Sequence, residues 1–350
     1  MSKRRRIVLA QTIALAACAL AHSGVVAQAS PARAALSGCP HGGAFLDPVW
    51  SPDSKQIAWV QSCKNGPDQI WVASSGGSNP HVLVRDSFVY QLAWSSAAGL
   101  LYTDVGSYLL WRVSPTGTRS LVARNFLPSA QGISIDATGG HVAWSSDTCG
   151  GCRSPIYVRS LTAGWTRTVG ANPKFSEANP TLSPDGQRVA YERRSCPVTL
   201  GECRTLAGIW VSPIAGSQAH RVATYGYFPE WSRDGHWIVY DDGKGRLVVI
   251  APNGTRRSVL PGSGGTAKTL APTFAWSPDS KEIAVWLNGI TVFDAATGRG
   301  HKVTVSPRGG IAGFSWTPDS KSLFIATGSS CPSLWLIAAR GQARHALHTC

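Results

Sequence analysis

The sequence predicts an all-β chain folded as a β-propeller of seven four-stranded blades. Three observations point there. First, one segment recurs along the chain: "DPVWSPDSKQIAWV" from Asp47, "NPTLSPDGQRVAYE" from Asn179, "FPEWSRDGHWIVYD" from Phe228, "TFAWSPDSKEIAVW" from Thr273 and "GFSWTPDSKSLFIA" from Gly313. Second, each recurrence is followed by short β-branched or aromatic runs divided by turn residues, the pattern of successive strands. Third, charged residues make up only 15% of the chain while Trp numbers 14, a composition suited to buried sheets and unlike that of a disordered segment.

Aligning the units on the large apolar residue before the turn gives seven anchors: Trp50, Trp94, Ile135, Leu182, Trp231, Trp276 and Trp316. They stand 40 to 49 residues apart, the period of a propeller blade. Two units are degenerate. "WSSAAGLLYT" from Trp94 lacks the Pro-Asp, and "IDATGGHVAW" from Ile135 keeps only the turn and the following strand. Merging one of them with its neighbour would reduce the ring to six blades. In the second unit the four strands read "VYQLAW", "LLYTD", "YLLWRVS" and "RSLVAR"; in the fifth they read "FPEWS", "WIVYDD", "RLVVIAP" and "TRRSVL". The third and fourth strands of each unit are joined through Gly-containing turns, from "SSGGSN" in the first to "AARGQ" in the last. Gly supplies the positive φ of a tight reversal.

The Ser-Pro-Asp-Gly/Ser piece reads as the hairpin between first and second strands. Pro presets φ at the first corner, Asp accepts hydrogen bonds from the backbone N–H groups that follow, and Gly tolerates the left-handed position. The Trp or Leu before it is large enough to fill the gap between neighbouring sheets. Asp53, Asp185, Asp234, Asp279 and Asp319 are therefore expected to form turns and not a catalytic or metal centre.

The Pro-x-Trp-Ser-Pro-Asp-Gly/Ser-x-x-Ile-Ala pattern resembles the repeat of TolB-like propellers, also called WD40-like or PD40 repeats, over residues 47 to 348. The resemblance is specific for fold and not for activity. It implies partner binding across the loop-rich face. It departs from TolB in two ways: a count of seven in place of six, and only about seventeen residues between the leader and the first blade, so the α/β domain that precedes TolB's own propeller is not expected.

Residues 1–29 read as an export signal: Lys3, Arg4, Arg5 and Arg6, then the apolar run Ile7 to Ala21, then Ala27-Gln28-Ala29 for cleavage. Residues 30–46 form a lead segment and 47–350 a single propeller domain. Leu15-Ala16-Ala17-Cys18 also resembles a lipobox, with Cys18 as the lipidated residue; the cleavage region ending at Ala29 favours a soluble exported form. Losing the leader removes four basic residues and no acidic ones, taking the formal charge from +14 to +10. A basic exported surface suits anionic envelope polymers; no basic cluster on a helix suggests nucleic acid, and no later segment is apolar enough for a membrane helix. A monomer, periplasmic or extracellular, is expected.

Eight Cys follow the leader: Cys39, Cys63, Cys149, Cys152, Cys196, Cys203, Cys331 and Cys350. The even number in an exported chain points to disulfides. All eight fall in or beside loops of one face, between second and third strands or next to the chain ends. Nearest-neighbour pairing gives Cys39–Cys63, Cys149–Cys152, Cys196–Cys203 and Cys331–Cys350; the alternative joins Cys39 to Cys350 and Cys63 to Cys331. The Cys149–Cys152 motif has no helix behind it to lower a thiol pKa, which speaks against redox catalysis. Zinc bound by cysteines of blades three and four fits less well than disulfides in an oxidising compartment.

Sequence motifs for hydrolytic, phosphate or dinucleotide chemistry are missing. Glu occurs only five times, leaving few candidates for paired carboxylates. Asp241-Asp242 before Gly243 reads as a polar turn, with no further oxygen ligands for calcium nearby. One constellation remains. Three residues before each anchor stand Asp47, Gln91, Gly132, Asn179, Phe228, Thr273 and Gly313, where the innermost strands enter the channel. The polar members Asp47, Gln91, Asn179 and Thr273 form the candidate ligand-binding ring. The sequence thus predicts an exported non-enzymatic propeller that binds a protein or envelope polymer, with no cofactor and no metal. The alternative is an extracytoplasmic polysaccharide lyase or hydrolase with its site at the channel mouth.

Overall fold

A computed structural model describes residues 44–349 apart from short stretches at 64–65, 105, 128–132, 146–153, 171–173, 196–204, 217, 264–272, 287–288, 304–310, 328–332 and 341–343. The described chain forms seven four-stranded antiparallel sheets, and each sheet takes all its strands from one sequence repeat. The two degenerate units form full blades, so the ring has seven and not six. No helix among the described residues is long and apolar enough to cross a membrane.

The inner strands are Ala44–Trp50, Val89–Ser95, Ser134–Ile135, Phe175–Leu182, Tyr227–Trp231, Thr273–Trp276 and Ile311–Trp316. Each stands at the edge of its sheet and so lines the channel. Seven apolar clusters hold the ring, and each joins one blade to the next. Every anchor lies in the seam with the preceding blade: Trp94 packs between blades 1 and 2, Leu182 between 3 and 4, Trp231 between 4 and 5, Trp276 between 5 and 6. The gap-filling role expected of the anchors is therefore what the fold uses.

The seam between blades 7 and 1 closes the circle. Phe45, Ile57, Trp59 and Ala73 from blade 1 meet Phe324, Ala326 and Leu334 from blade 7. Trp50 lies edge-on to Phe324 at 5.8 Å between ring centroids. Among the described residues no strand is exchanged between the first and last sheets, and side chains make the closing contact.

The Ser-Pro-Asp hairpins repeat to atomic detail. Ser51, Ser183, Ser232 and Ser277 donate their hydroxyls to Asp53, Asp185, Asp234 and Asp279, and Thr317 does the same to Asp319, all within 2.5–2.7 Å. The same carboxylates accept the N–H of Lys55, Gln187, His236, Lys281 and Lys321. These residues are turn formers, as expected. Adjacent hairpins are also linked: Ser280 accepts the Asp234 N–H at 2.9 Å, and Ser320 the Asp279 N–H at 3.0 Å.

Phe324 is fully buried at the closing seam, so Phe324→Ala should lower the free energy of unfolding by about 3–5 kcal/mol in a urea titration. Leu121→Ala, at an exposed outer-strand position, should stay within about 0.5 kcal/mol of the parent. Equal effects would mean that the seam does not carry closure.

Candidate functional site at the channel mouth

Bulges mark the mouth of the channel. In blade 1, Leu46 pairs with Val60 and Val49 with Ala58, which leaves Asp47 and Pro48 opposite Trp59 alone. In blade 4, Asn179 and Pro180 face Tyr191; in blade 5, Phe228 and Pro229 face Tyr240; in blade 2, Tyr90 and Gln91 face Thr103. Asp47, Gln91, Asn179 and Phe228 are thus bulge positions, where the chain turns a side chain away from the regular pleat. Asp47, Asn179 and Phe228 adopt left-handed φ of 46°, 49° and 53°. Each precedes a Pro, which has no N–H to contribute to the ladder at the bulge.

The ring residues have different fates. Asp47 is half-buried, and its Oδ2 accepts the N–H of Leu92 from the next blade. Desolvation pushes its carboxyl up to about 7, against the pull of that hydrogen bond. Gln91 is buried, and its N–H donates to the Thr103 hydroxyl at 3.2 Å. Asn179 donates from Nδ2 to Glu192 Oε1 at 2.6 Å. Thr273 pairs with Trp286 at the start of its strand. Gly313 runs so close to blade 1 that a Cβ there would lie 3.1 Å from the Asp47 nitrogen and from Pro48 Cδ. Gly132 lies outside the described residues.

Several groups at the channel are invisible to a scan of the inner strands. Glu192, fully buried on the second strand of blade 4, accepts the Phe228 N–H at 2.8 Å as well as Asn179, and pairs with Arg194 at 2.7 Å. Beside it Glu177 and Arg193 form a buried ion pair at 2.9 Å, with the guanidinium 4.0 Å from the centroid of Trp210. Burial still pushes the Glu177 carboxyl up to about 7. Tyr90, half exposed at the blade 2 bulge, has its phenol pushed up by desolvation and by the Asp47 charge. Asp47 and Tyr90 therefore form one electrostatically linked pair at the mouth.

Towards the hairpin face, a cavity of about 170 Å³ opens between blades 3, 4 and 5, lined among others by Ser134, Thr181 and Glu230. Desolvation pushes the Glu230 carboxyl up to about 7, and its Oε2 has no hydrogen-bond partner. Its Oε1 accepts the Trp276 N–H at 3.4 Å.

The described histidines serve the scaffold. His141 pairs with Asp136 at 2.6 Å, while His220 and His301 reach the carbonyls of Pro252 and Ala339 in the following blade. No group of three or more His, Cys, Asp or Glu able to hold a metal ion occurs among the described residues. Asp241 and Asp242 cap their own turn, accepting the N–H of Gly243 at 2.7 Å and of Lys244 at 2.9 Å, as the polar-turn reading expects. Cys63 is disulfide-bonded. Cys18, Cys39, Cys149, Cys152, Cys196, Cys203, Cys331 and Cys350 lie outside the described residues, as do the leader and most of the long loops.

Comparison with known proteins defines the class first. The fold is that of a seven-bladed β-propeller. No known protein family or curated protein matches the chain. Among solved structures, an oligogalacturonate lyase in complex with manganese shares the fold with a TM-score of 0.62 and 15% identity, over 85% of this chain and 89% of that one. Oligogalacturonate lyase from Vibrio parahaemolyticus does so with a TM-score of 0.62 and 10% identity, over 85% and 90%. TolB from Acinetobacter baumannii reaches a TM-score of 0.47 at 20% identity, over 64% and 56%, too loose an overlap to argue from.

These findings correct the expectation of a non-enzymatic binder. That expectation rested on the lack of several acidic or histidine residues converging at the mouth. The two lyases share the fold over 85% of this chain, and burial holds one carboxyl at the mouth at a pKa of about 7. The manganese of the first lyase finds no matching donor set among the described residues, so no step is assigned to a metal.

Asp47 and Glu230 keep their protons in the folded state over a range where the unfolded chain loses them. Stability should therefore fall as pH rises from the ordinary carboxylate values of 3.8 and 4.5 to about 7, then level off. Asp47→Asn and Glu230→Gln should each flatten this slope in melting temperatures taken across that range. An unchanged slope would contradict the raised values.

Proposed function

We propose that the protein is an extracytoplasmic polysaccharide lyase acting on uronate-containing oligosaccharides at its channel mouth. The observation that carries this reading is Asp47, a carboxyl at the mouth with its pKa near 7 and a phenol beside it. The activity of the two oligogalacturonate lyases that share the fold suggests the substrate class. The formal charge of +10 that remains without the leader favours a polyanionic chain by long-range attraction. The leader at residues 1–29 would take the enzyme to where such polymers occur.

Elimination from a uronide needs a base for the proton on the carbon next to the carboxylate. The electron pair left behind forms a carbon–carbon double bond as the glycosidic bond on the adjacent carbon breaks. The departing oxygen takes a proton. Asp47 is suited to the first task, because a base works best with a pKa close to the working pH. Tyr90 holds its proton more tightly than a free phenol and stands ready for the second. The Leu92 N–H fixes the Asp47 side chain, so its orientation is set before substrate arrives.

Oligogalacturonate incubated with the protein should yield an unsaturated uronide, followed by ultraviolet absorbance. Asp47→Asn should lower kcat by about 10²-fold or more with the fold intact. In the parent the rate should drop as pH falls below about 7, where Asp47 takes up its proton. Saturated products would indicate a hydrolase; no product, or an Asn variant as fast as the parent, would overturn the reading.

A further inference from the structure

The most exposed large apolar side chains among the described residues are Phe88 at 68%, Tyr90 at 50%, Tyr225 at 47% and Leu121 at 37%. Three of the four stand at matching counts from the anchors of two blades, although the bulge of blade 2 lies one residue earlier than that of blade 5. Phe88 and Tyr90 stand six and four residues before Trp94; Tyr225 and Tyr227 stand six and four before Trp231. No other blade has aromatic residues at those positions: the pairs are Ala44 and Leu46, Ser129 and Gln131, Ser176 and Ala178, Leu270 and Pro272, Gly310 and Ala312.

The same device supports both pairs. The Phe88 ring lies over Gly106, where a Cβ would come 3.0 Å from Phe88 Cδ2. The Tyr225 ring lies over Gly243, where a Cβ would come 2.1 Å from Tyr225 Cε1. Each glycine sits in the hairpin between second and third strands of its blade, and each N–H is capped by an Asp two residues earlier. Asp104 accepts from Gly106 at 2.9 Å and Asp241 from Gly243 at 2.7 Å. Phe88 is held at φ 59°, an unfavourable conformation for a bulky residue, so the chain keeps this ring exposed at a conformational cost. Tyr225 and Tyr227 are locked edge to face at 5.5 Å, with their hydroxyls 2.9 Å apart.

We propose that these two aromatic posts, on blades 2 and 5, are sugar-stacking subsites that hold an oligosaccharide across the channel mouth. The inference rests on the lyase reading and extends it by naming where the substrate chain is gripped. Blades 2 and 5 are three apart in a ring of seven, so the posts stand on opposite sides of the opening. Tyr90 belongs to the first post and stands two residues before Leu92, whose N–H the Asp47 carboxyl accepts, so the carboxyl and the post share one stretch of the mouth. Rigid aromatic faces suit the apolar faces of pyranose rings, and their hydroxyls suit the sugar edges. An extended peptide would need a free strand edge at the mouth. The N–H groups of Leu92 and Phe228 there are already taken by Asp47 and Glu192.

The test is calorimetric binding of oligogalacturonates graded in length, with neutral cello-oligosaccharides of the same lengths alongside. Affinity should rise with length until the chain reaches both posts. Phe88→Ala and Tyr225→Ala should each weaken long oligomers by roughly three- to tenfold and leave the shortest unchanged. Gly106→Ala, which displaces the Phe88 ring without removing it, should give part of that loss. Both side chains are exposed, so the variants should fold. Long-chain affinity unaltered in both variants would overturn the posts while leaving the lyase reading intact. Length-dependent binding of the neutral series alone, lost in the variants, would support the posts and sink the uronate substrate. No binding of either series would overturn both.

Discussion

An edge strand leaves a row of backbone N–H groups without a partner, and this ring has seven such edges facing one channel. Each sheet is built from a single repeat, so no neighbouring strand can satisfy them. Side chains from the preceding blade do so. Asp47 takes the Leu92 N–H, Ser134 that of Leu182, Glu192 that of Phe228 and Glu230 that of Trp276. The anchor indoles return the link in two seams: Trp276 donates to the Glu230 carbonyl and Trp316 to that of Ala275. Apolar packing fills the seams, and these polar contacts fix how each blade is seated against the last.

The same constraint creates the chemistry. Two of the carboxylates that cap edge strands, Asp47 and Glu230, are desolvated there and their pKa rises. Asp47 and Glu230 share that history at opposite ends of the channel. Where the capping residue is Ser134, the contact is made with no titratable group at all. Asp47 differs from Glu230 in its company: a half-exposed Tyr90 and an open mouth rather than a small cavity behind the hairpins. In the proposed reaction a structural acceptor and the base are thus one and the same side chain.

The fold was largely legible in the sequence because its signals are local. Pro, Asp and Gly specify the hairpins within a few residues, and the anchor beside each hairpin shows where one sheet meets the next. Even "WSSAAGLLYT" was enough, since Ser95 replaces the missing Asp by accepting the N–H of Ala97 and Ala98. The site was half legible. Counting back from the anchors found the mouth to within one residue: the bulge begins at Asp47, Asn179 and Phe228 but at Tyr90 in blade 2, and Thr273 pairs without one. It missed Glu192 and Arg193, which act from second strands. It also missed Tyr90 and Phe88, which matter through exposure and not through type. The aromatic-x-aromatic spacing and the Asp-x-Gly turn were present in the text, yet only the ring brings them together. The non-enzymatic expectation failed for a related reason. It sought many converging acids, whereas one desolvated carboxyl changes what a site can do.

Amide hydrogen exchange tests the seating of the blades most directly. If side chains of the preceding blade cap the inner edges, the amides of Leu92, Leu182, Phe228 and Trp276 should exchange only with global unfolding, as slowly as the central strands do. Rapid exchange at these four amides in an otherwise protected protein would show that the channel edges are open to water, and would contradict the account.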